Sequence, residues 1–231
     1  MTVQEALDQL ALGELSNTIL SQDHRIIKQH IPYMVKLLNE GLDKLFIKFN
    51  LKAENIFVEL IDGKQRYEIS SDHMMGPDME PDWEHYLWKG YQQTYEDDLI
   101  KILYINTTDG RPIPINHHLL PDSVYTPKFN EILVPFNFPR MEFNVTYQAR
   151  HKRLSPEKLD EVIDMAPQLF PALFNWIAYQ VHSNINTAEA VQNAAKYQTQ
   201  YQNAINEMVE TGSADSLQAQ DSWRFISRGW V

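Results

Sequence analysis

Residues 56–69 read IFVELIDGKQRYEI, and this stretch decides the fold class. Apolar and polar residues alternate on both sides of Asp62-Gly63, a pair that tolerates the positive φ angles of a tight turn. The pattern predicts a β-hairpin. A second hairpin is predicted over residues 99–115 around Asp109-Gly110, and further strands are predicted over residues 132–134 and 141–149. The middle of the chain is therefore expected to form an antiparallel β region.

Before this region, apolar residues recur at the three- and four-residue spacing of amphipathic helices. The spacing predicts one helix from Thr2 to about Leu20, and Thr2 with Glu5 fits a capping box. A second helix is predicted from about Asp23 to Phe49. Pro32 either kinks this helix or lies in its first turn, and the sequence leaves both readings open.

Helical spacing returns after the β region. One helix is predicted to open at Asp164–Gln168 and to continue to Val181, before a break at Ser183–Asn186. Thr187 is a suitable N-cap for a longer helix over residues 188–210, which Gly212 should end.

The fold class predicted from these patterns is α+β. The N- and C-terminal segments are expected to form a helical bundle with an inserted antiparallel β subdomain. An acidic loop, partly helical around residues 83–93, should lie within the insertion. The expected divisions are residues 1–55 and 150–212 for the bundle, 56–149 for the β subdomain with its acidic loop at 71–98, and 213–231 for a tail.

Composition restricts the classes of function. The chain has 231 residues, 43% of them hydrophobic, and a net charge of −11. A polyanion such as DNA is repelled by such a chain, so tight nucleic-acid binding is not expected, although passage of DNA without binding is compatible with it. The absence of cysteine excludes disulfides and zinc–thiolate sites. Neither a signal peptide nor an apolar run long enough to cross a membrane is evident.

The helix predicted over residues 188–210 has an unusual polar face, rich in amides and poor in charge. Helices that face bulk water usually carry Glu and Lys, so an amide face suits a contact with another subunit or the lining of a channel. An ordinary surface helix of low charge is the alternative. The residues assigned to this face are Gln192, Asn193, Gln200 and Asn203.

The C-terminal tail ends in three large aromatic residues and two arginines. Free termini are normally polar, whereas aromatic and arginine side chains dominate binding energy at interfaces. The tail is therefore predicted to bind a partner, and the alternative is that it packs on its own core. The residues concerned are Trp223, Arg224, Phe225, Arg228 and Trp230.

A metal-dependent hydrolase is the rival hypothesis from another class. Asp97 and Asp98, with His117 or His118, are its candidate ligands, because such sites bring carboxylates from separate elements onto one cation. Adjacent histidines on a strand point to opposite faces, however, and acidic runs are usually solvated. No phosphate-binding loop or nucleophile motif is present.

The order of elements resembles a known family. After the inserted β region come Tyr147–His151, the link Leu154–Pro156 and a helix start at Asp164–Pro167. Two helices follow, containing Leu173–Tyr179 and then Ala188–Ala190 with Tyr197–Tyr201, and Ser227–Trp230 closes the chain. This order is similar to that of the head-to-tail adaptor, or connector, proteins of tailed bacteriophages, particularly short-tailed ones. The likeness covers residues 1–55 and 145–231.

Membership of that family would imply a structural virion protein without catalytic residues, cofactor or metal. It implies a homo-oligomeric ring below the portal, usually a dodecamer, whose C-terminal segment contacts the portal protein and whose lumen passes DNA. The inserted region departs from small adaptors and is expected to dock tail nozzle or fibre proteins. Such a protein would be made in the host cytoplasm and located at the head–tail interface. A phage binding module that is absent from particles is a third hypothesis.

In such a ring, charge predicts which surfaces face the channel. Acidic side chains repeated by symmetry around a narrow pore would repel both DNA and one another. The acidic stretch Asp72–Asp98 should therefore lie away from the pore, so that neither Glu84 nor Asp97 lines its narrowest point. The amide face of the long helix should lie nearer the lumen or a neighbouring subunit.

Overall fold

The structure is a computed structural model, and it describes residues 1–76, 79–90, 94–136, 138 and 141–212. Within these ranges the chain forms four α-helices and three antiparallel sheets, so the predicted α+β class is confirmed. No helix among the described residues combines the length and the apolar character needed to cross a membrane.

The chain divides into two compact units. The helical unit consists of Met1–Leu51 and His151–Val231, of which residues 213–231 are outside the described part. The β unit is the continuous stretch Lys52–Arg150 between them. The helical unit is thus assembled from both ends of the chain.

Up to residue 212, the helical unit contains four α-helices and one small two-stranded sheet. The elements are α1 (Val3–Leu12), β1 (Ser21–Gln22), β2 (Arg25–Ile26), α2 (Ile31–Lys48), α3 (Phe170–Ser183) and α4 (Ala188–Thr211).

The beginning of α1 follows the predicted capping box. The Thr2 backbone N–H donates to Glu5 Oε2 at 2.8 Å, and the Glu5 N–H donates to Thr2 Oγ1 at 3.2 Å. The helix ends at Leu12 instead of continuing to Leu20, because the chain turns at Gly13.

The predicted helix from Asp23 to Phe49 is wrong over its first residues. Asp23 and His24 adopt positive φ angles of 49° and 60°, and they form the two-residue turn between β1 and β2. Pro32 lies in the first turn of α2, where its missing N–H costs no helical hydrogen bond, so it starts the helix and does not kink it.

Polar contacts join the two chain ends within the helical unit. The backbone N–H groups of Val3 and Gln4 donate to the carbonyls of Glu161 and Leu159 at 3.0 and 2.8 Å. On α2, the buried Asn39 side chain donates to the Leu154 carbonyl and accepts from the Leu154 N–H. The Asn39 side chain therefore satisfies the backbone N–H and carbonyl of Leu154, which lies outside any helix or strand.

Helices α2 and α3 approach each other closely at Gly41. A methyl group at this position would lie 2.5 Å from Leu173 Cδ1 and 2.9 Å from Trp176 Cε3. Both distances are shorter than van der Waals contact, so only glycine fits between the two helices here.

The β unit holds a four-stranded sheet in the order β5-β3-β9-β6 and a three-stranded sheet in the order β4-β8-β7. The strands are β3 (Ala53–Glu59), β4 (Arg66–Glu68), β5 (Leu87–Trp88), β6 (Leu99–Thr107), β7 (Tyr125–Lys128), β8 (Glu131–Leu133) and β9 (Glu142–Ala149). The apolar core contains the fully buried Tyr67, Tyr86, Phe143 and Tyr147.

The hairpin predicted over residues 56–69 is wrong, although its turn exists. Gly63 has a φ of 78°, and the Lys64 N–H donates to the Ile61 carbonyl at 3.1 Å. Strand β3 nevertheless pairs with β5 and β9, whereas β4 pairs with β8, so this turn carries the chain from one sheet to the other.

The second predicted hairpin forms over a short length. The Ile113 N–H donates to the Ile105 carbonyl and the Thr107 N–H to the Arg111 carbonyl, both at 2.8 Å, around the turn at Gly110. The strand predicted over residues 141–149 is confirmed as β9, the central partner of both β3 and β6.

The acidic segment 71–98 has no helix among its described residues other than a single 3-10 turn at Ser71–His73. Residues 83–88, predicted as helical, form a bend followed by β5, and residues 91–93 lie outside the described part. The segment is held to the sheet instead, because the Glu59 N–H donates to the Tyr86 carbonyl at 2.9 Å.

Candidate interaction surface and charge network

Helix α4 begins and ends where local sequence predicts. Thr187 Oγ1 accepts from the Ala190 N–H at 3.2 Å, and Gly212 closes the helix with a φ of 61°. The helix packs on α3 through a narrow stripe that includes Ala190, Ala194 and Ile205. The small alanines allow the two helices to approach closely.

Most of the remaining circumference of α4 faces outward. Gln192, Gln200 and Asn203 are exposed and Asn193 is half-buried. The apolar Val191 and Val209 are also exposed, at 62% and 57%. Tyr197 and Tyr201 are half-buried near the stripe, and the Tyr197 ring stacks on His182 at 5.4 Å. The outward face of α4 is therefore amide-rich and includes apolar residues, as an interface surface would be.

The predicted partner-binding residues of the tail, Trp223, Arg224, Phe225, Arg228 and Trp230, lie outside the described residues. Their role stays a prediction from the sequence.

The ligands of the rival metal hypothesis do not converge. Asp97 accepts from the backbone N–H of Ser71 at 2.8 Å and from the Ser71 hydroxyl, and Asp98 accepts from the Tyr147 hydroxyl at 2.9 Å. His117 and His118 are exposed between β6 and β7. Across the described ranges, no three His, Asp or Glu side chains are placed to hold one metal ion.

Asp98 belongs to a polar cluster that no pattern in the sequence predicted. Glu54 on β3 lies directly opposite Tyr147 on β9. Lys89 follows β5 and Asp98 precedes β6, so the antiparallel order brings all four residues to one end of the sheet. Lys52 completes the cluster from the residue before β3. We call these five residues the charge network.

Hydrogen bonds and ion pairs connect the members of the charge network. Lys89 Nζ donates to Tyr147 Oη at 2.9 Å and pairs with Glu54. Lys52 also pairs with Glu54, and its Nζ lies 3.9 Å from Asp98 Oδ2. The Lys89 side chain is only 7% exposed, so Glu54 supplies the compensating charge that a buried ammonium requires.

The electrostatics of the charge network follow from burial and pairing. Burial alone would raise the pKa of Glu54, but hydrogen bonds from Lys52 and Lys89 and their positive charges outweigh it, so the pKa lies below its usual value. Burial, with Asp98 and Glu54 nearby, raises the pKa of Tyr147. The Tyr147 hydroxyl therefore stays protonated and bridges Lys89 to Asp98.

Two lysines balance two carboxylates in this network, and every member has a partner within it. Such an arrangement stabilises the meeting point of four strands and directs no unpaired group toward a substrate. The one sequence signal for the charge network was Lys89, which is the only lysine or arginine in the acidic stretch 71–98. Its partners are 35 to 58 residues away in the chain, and no local pattern identifies them.

No protein-family model matches the chain, and no curated protein shows significant sequence similarity to it.

Proposed function

We propose that this chain is a structural subunit of a virus particle that forms a ring below the portal of a tailed bacteriophage. In this proposal the ring attaches the tail and lets DNA pass without binding it. The observation that supports the proposal best is the outward face of α4. A 24-residue helix that packs mainly on α3 and presents amides, Val191 and Val209 to the outside is suited to contact a second copy.

The rest of the assembly follows from the resemblance to head-to-tail adaptors. The helices α1 to α4 would form the adaptor bundle, and the tail, with Trp223, Arg224, Phe225, Arg228 and Trp230, would reach the portal protein. The β unit would dock tail nozzle or fibre proteins. Its acidic segment 71–98 supports a position away from the DNA path, because repeated carboxylates would repel the phosphates.

The decisive experiment is quantitative mass spectrometry of purified particles. A virion adaptor is expected in the particles at a copy number close to that of the portal protein. Absence from the particles, with the protein abundant in infected cells, would favour the phage binding module or the hydrolase. A metal-stimulated hydrolytic activity of the purified protein would identify it as the hydrolase.

Ring formation through α4 gives a mutational test. Adding two charges with Gln200→Glu and Asn203→Glu should prevent assembly, because like charges repeated around a ring are costly at an interface. Oligomer size is measured by light scattering after size-exclusion chromatography, with and without portal.

The matched control is Gln9→Glu with Asn17→Glu, which makes the same chemical changes at exposed positions near α1. The control should assemble like the wild type. Equal assembly of both double variants would contradict an α4 interface.

A further inference from the structure

Three aromatic rings surround the ammonium group of Lys64 in the β unit. Lys64 Nζ lies 3.9 Å from the centroid of the Tyr86 ring, 5.7 Å from that of Tyr67 and 5.9 Å from that of Trp83. It also donates to the Trp83 carbonyl. An ammonium within about 6 Å of an aromatic face is attracted by the negative potential of the ring, and three rings together form a cage. We call Tyr67, Trp83 and Tyr86 the aromatic cage.

Two walls of the aromatic cage are fixed in place. The Tyr67 hydroxyl accepts from the Ile61 N–H at 2.8 Å, and the Tyr86 hydroxyl accepts from the Glu68 N–H at 3.0 Å and donates to the Glu68 carbonyl at 3.1 Å. Both side chains are buried, and their rings meet edge to face at 5.2 Å. Burial raises the pKa of Tyr86 to about 12, so the ring stays neutral at physiological pH. The positions of the Tyr67 and Tyr86 rings are therefore set by contacts that do not involve Lys64.

The third wall opens the cage to solvent. Trp83 is 59% exposed, and the exposed carboxylates of Asp82 and Glu84 flank it. Asp82 is itself held in place, because its carboxylate accepts from the backbone N–H groups of Glu84 and His85 at 2.7 and 2.6 Å. Both acids attract a cation to the entrance. Lys64 enters from the neighbouring turn, in which a Cβ atom added at Gly63 would lie 3.8 Å from Cζ2 of the Trp83 ring.

We propose that the aromatic cage is a binding site for an alkylammonium group, occupied by Lys64 in the isolated chain and by a lysine side chain of a partner protein in a complex. The chain's net charge of −11, and the many more Asp and Glu than Lys and Arg in the β unit, favour a basic partner. Lys64 is tethered beside the cage, so a free ligand competes against a high effective concentration, whereas a lysine of a partner docked on the β unit gains a high effective concentration of its own. This inference is independent of the proposed ring.

The first test empties the cage and adds choline as a probe. Lys64→Ala should bind choline in the millimolar range, at least about tenfold more tightly than the wild type, because the tethered competitor has gone. The neutral isostere 3,3-dimethyl-1-butanol should bind about tenfold more weakly than choline, because it lacks the charge. Binding is followed by tryptophan fluorescence and by NMR.

Two further variants serve as controls. Lys64→Ala with Trp83→Ala removes the open wall and should lose choline binding, whereas Lys101→Ala removes an exposed lysine of β6 and should behave as the wild type. Equal binding of choline by Lys64→Ala and the wild type, or equal binding of choline and the isostere, would overturn the proposal. Circular dichroism establishes that each variant is folded.

A second measurement uses the wild-type chain and does not depend on the folding of a variant. The Lys64 ε-methylene protons should resonate upfield of ordinary lysines, because they lie over the rings. Added choline should shift them back toward ordinary values at a concentration at least about tenfold higher than Lys64→Ala requires. The signals of the other lysines serve as the reference. Lys64 signals with ordinary chemical shifts, or Lys64 signals that do not respond to choline, would overturn the proposal.

Discussion

The side chain of Asp97 stabilises an unusual backbone conformation. Its φ is 53°, in the left-handed region, and its carboxylate accepts two hydrogen bonds from Ser71. Aspartate and asparagine adopt this conformation more readily than other residues with a Cβ atom. Asp97 therefore has a structural task in the acidic segment.

Replacement of Asp97 should show this task in the free energy of unfolding. Asp97→Ala is expected to lower it by about 1–3 kcal/mol, because both hydrogen bonds to Ser71 are lost and alanine is strained at this φ. Asp97→Asn keeps an acceptor oxygen and should cost less. Urea unfolding of both variants measures the difference. Unchanged stability of Asp97→Ala would contradict this structural role of Asp97. Any loss of activity in Asp97→Ala has to be compared with this loss of stability.

Glu54 should make stability depend on pH. Its pKa is lower in the folded chain than the usual value of 4.5, because Lys52 and Lys89 outweigh the effect of burial. A carboxyl group of this kind stabilises the folded chain above that value, and the contribution is lost as the pH falls through the lowered pKa. Stability should therefore fall as the pH decreases below about 4.5.

Glu54→Gln tests the same group at two pH values. At pH 7 the variant should lose roughly 3 kcal/mol, because it leaves the buried Lys89 without its counter-charge. Between pH 7 and pH 3 its stability should change less than that of the wild type, as measured by urea unfolding. Parallel pH profiles for the two proteins would refute the assignment to Glu54.

At the scale of the elements, α2 and α3 depend on the absence of a side chain at Gly41. Gly41→Ala would usually favour a helix, by about 1 kcal/mol. Here the added methyl group would clash with Leu173 and Trp176, so we expect a net loss of about 1–3 kcal/mol from overpacking. Thermal unfolding measures it, and the Gly41→Ala step should cost less in a Leu173→Ala background than in the wild type, although Leu173→Ala itself destabilises the buried core. A more stable Gly41→Ala variant would show that the helices separate easily.

Capping signals, which involve residues only a few positions apart, correctly predicted where helices begin and end. The Thr2–Glu5 capping box, the Thr187 N-cap and the Gly212 C-cap are all found in the structure. Strand pairing failed where partners are distant: β3 pairs with β9 about 90 residues later, although alternation and the Asp62-Gly63 turn favoured its neighbour β4. Periodicity marks a strand, but it carries no information about which strand lies beside it.

Contacts between distant residues were also missed in the candidate functional surfaces. The amide face of α4 could be predicted because it lies within one helix. The charge network and the aromatic cage could not, because each is assembled from separate parts of the β unit. Val191 and Val209 lie at the helical spacing of a buried face but are exposed, because α4 packs mainly on α3 through a narrow stripe.

At the scale of the whole molecule, the tail offers a direct test of assembly. Deletion of residues 222–231 should leave the thermal stability of the isolated subunit unchanged and abolish its binding to purified portal. The reason is that the large aromatic side chains would be buried against the portal protein, and burial of each contributes about 1.5–3 kcal/mol of binding free energy. A large loss of subunit stability, or portal binding that survives the deletion, would contradict a portal anchor.

The division of the helical unit between both chain ends has a consequence for protein synthesis. A ribosome completes the β unit, residues 52–150, before it has made any residue of α3 or α4. During that interval α2 lacks α3, on which it packs, and Val3 and Gln4 of α1 lack the carbonyls of Glu161 and Leu159. Because compact units fold as they emerge, the β unit should fold first on the nascent chain. The N-terminal helices, although translated first, should be among the last segments to reach their native packing.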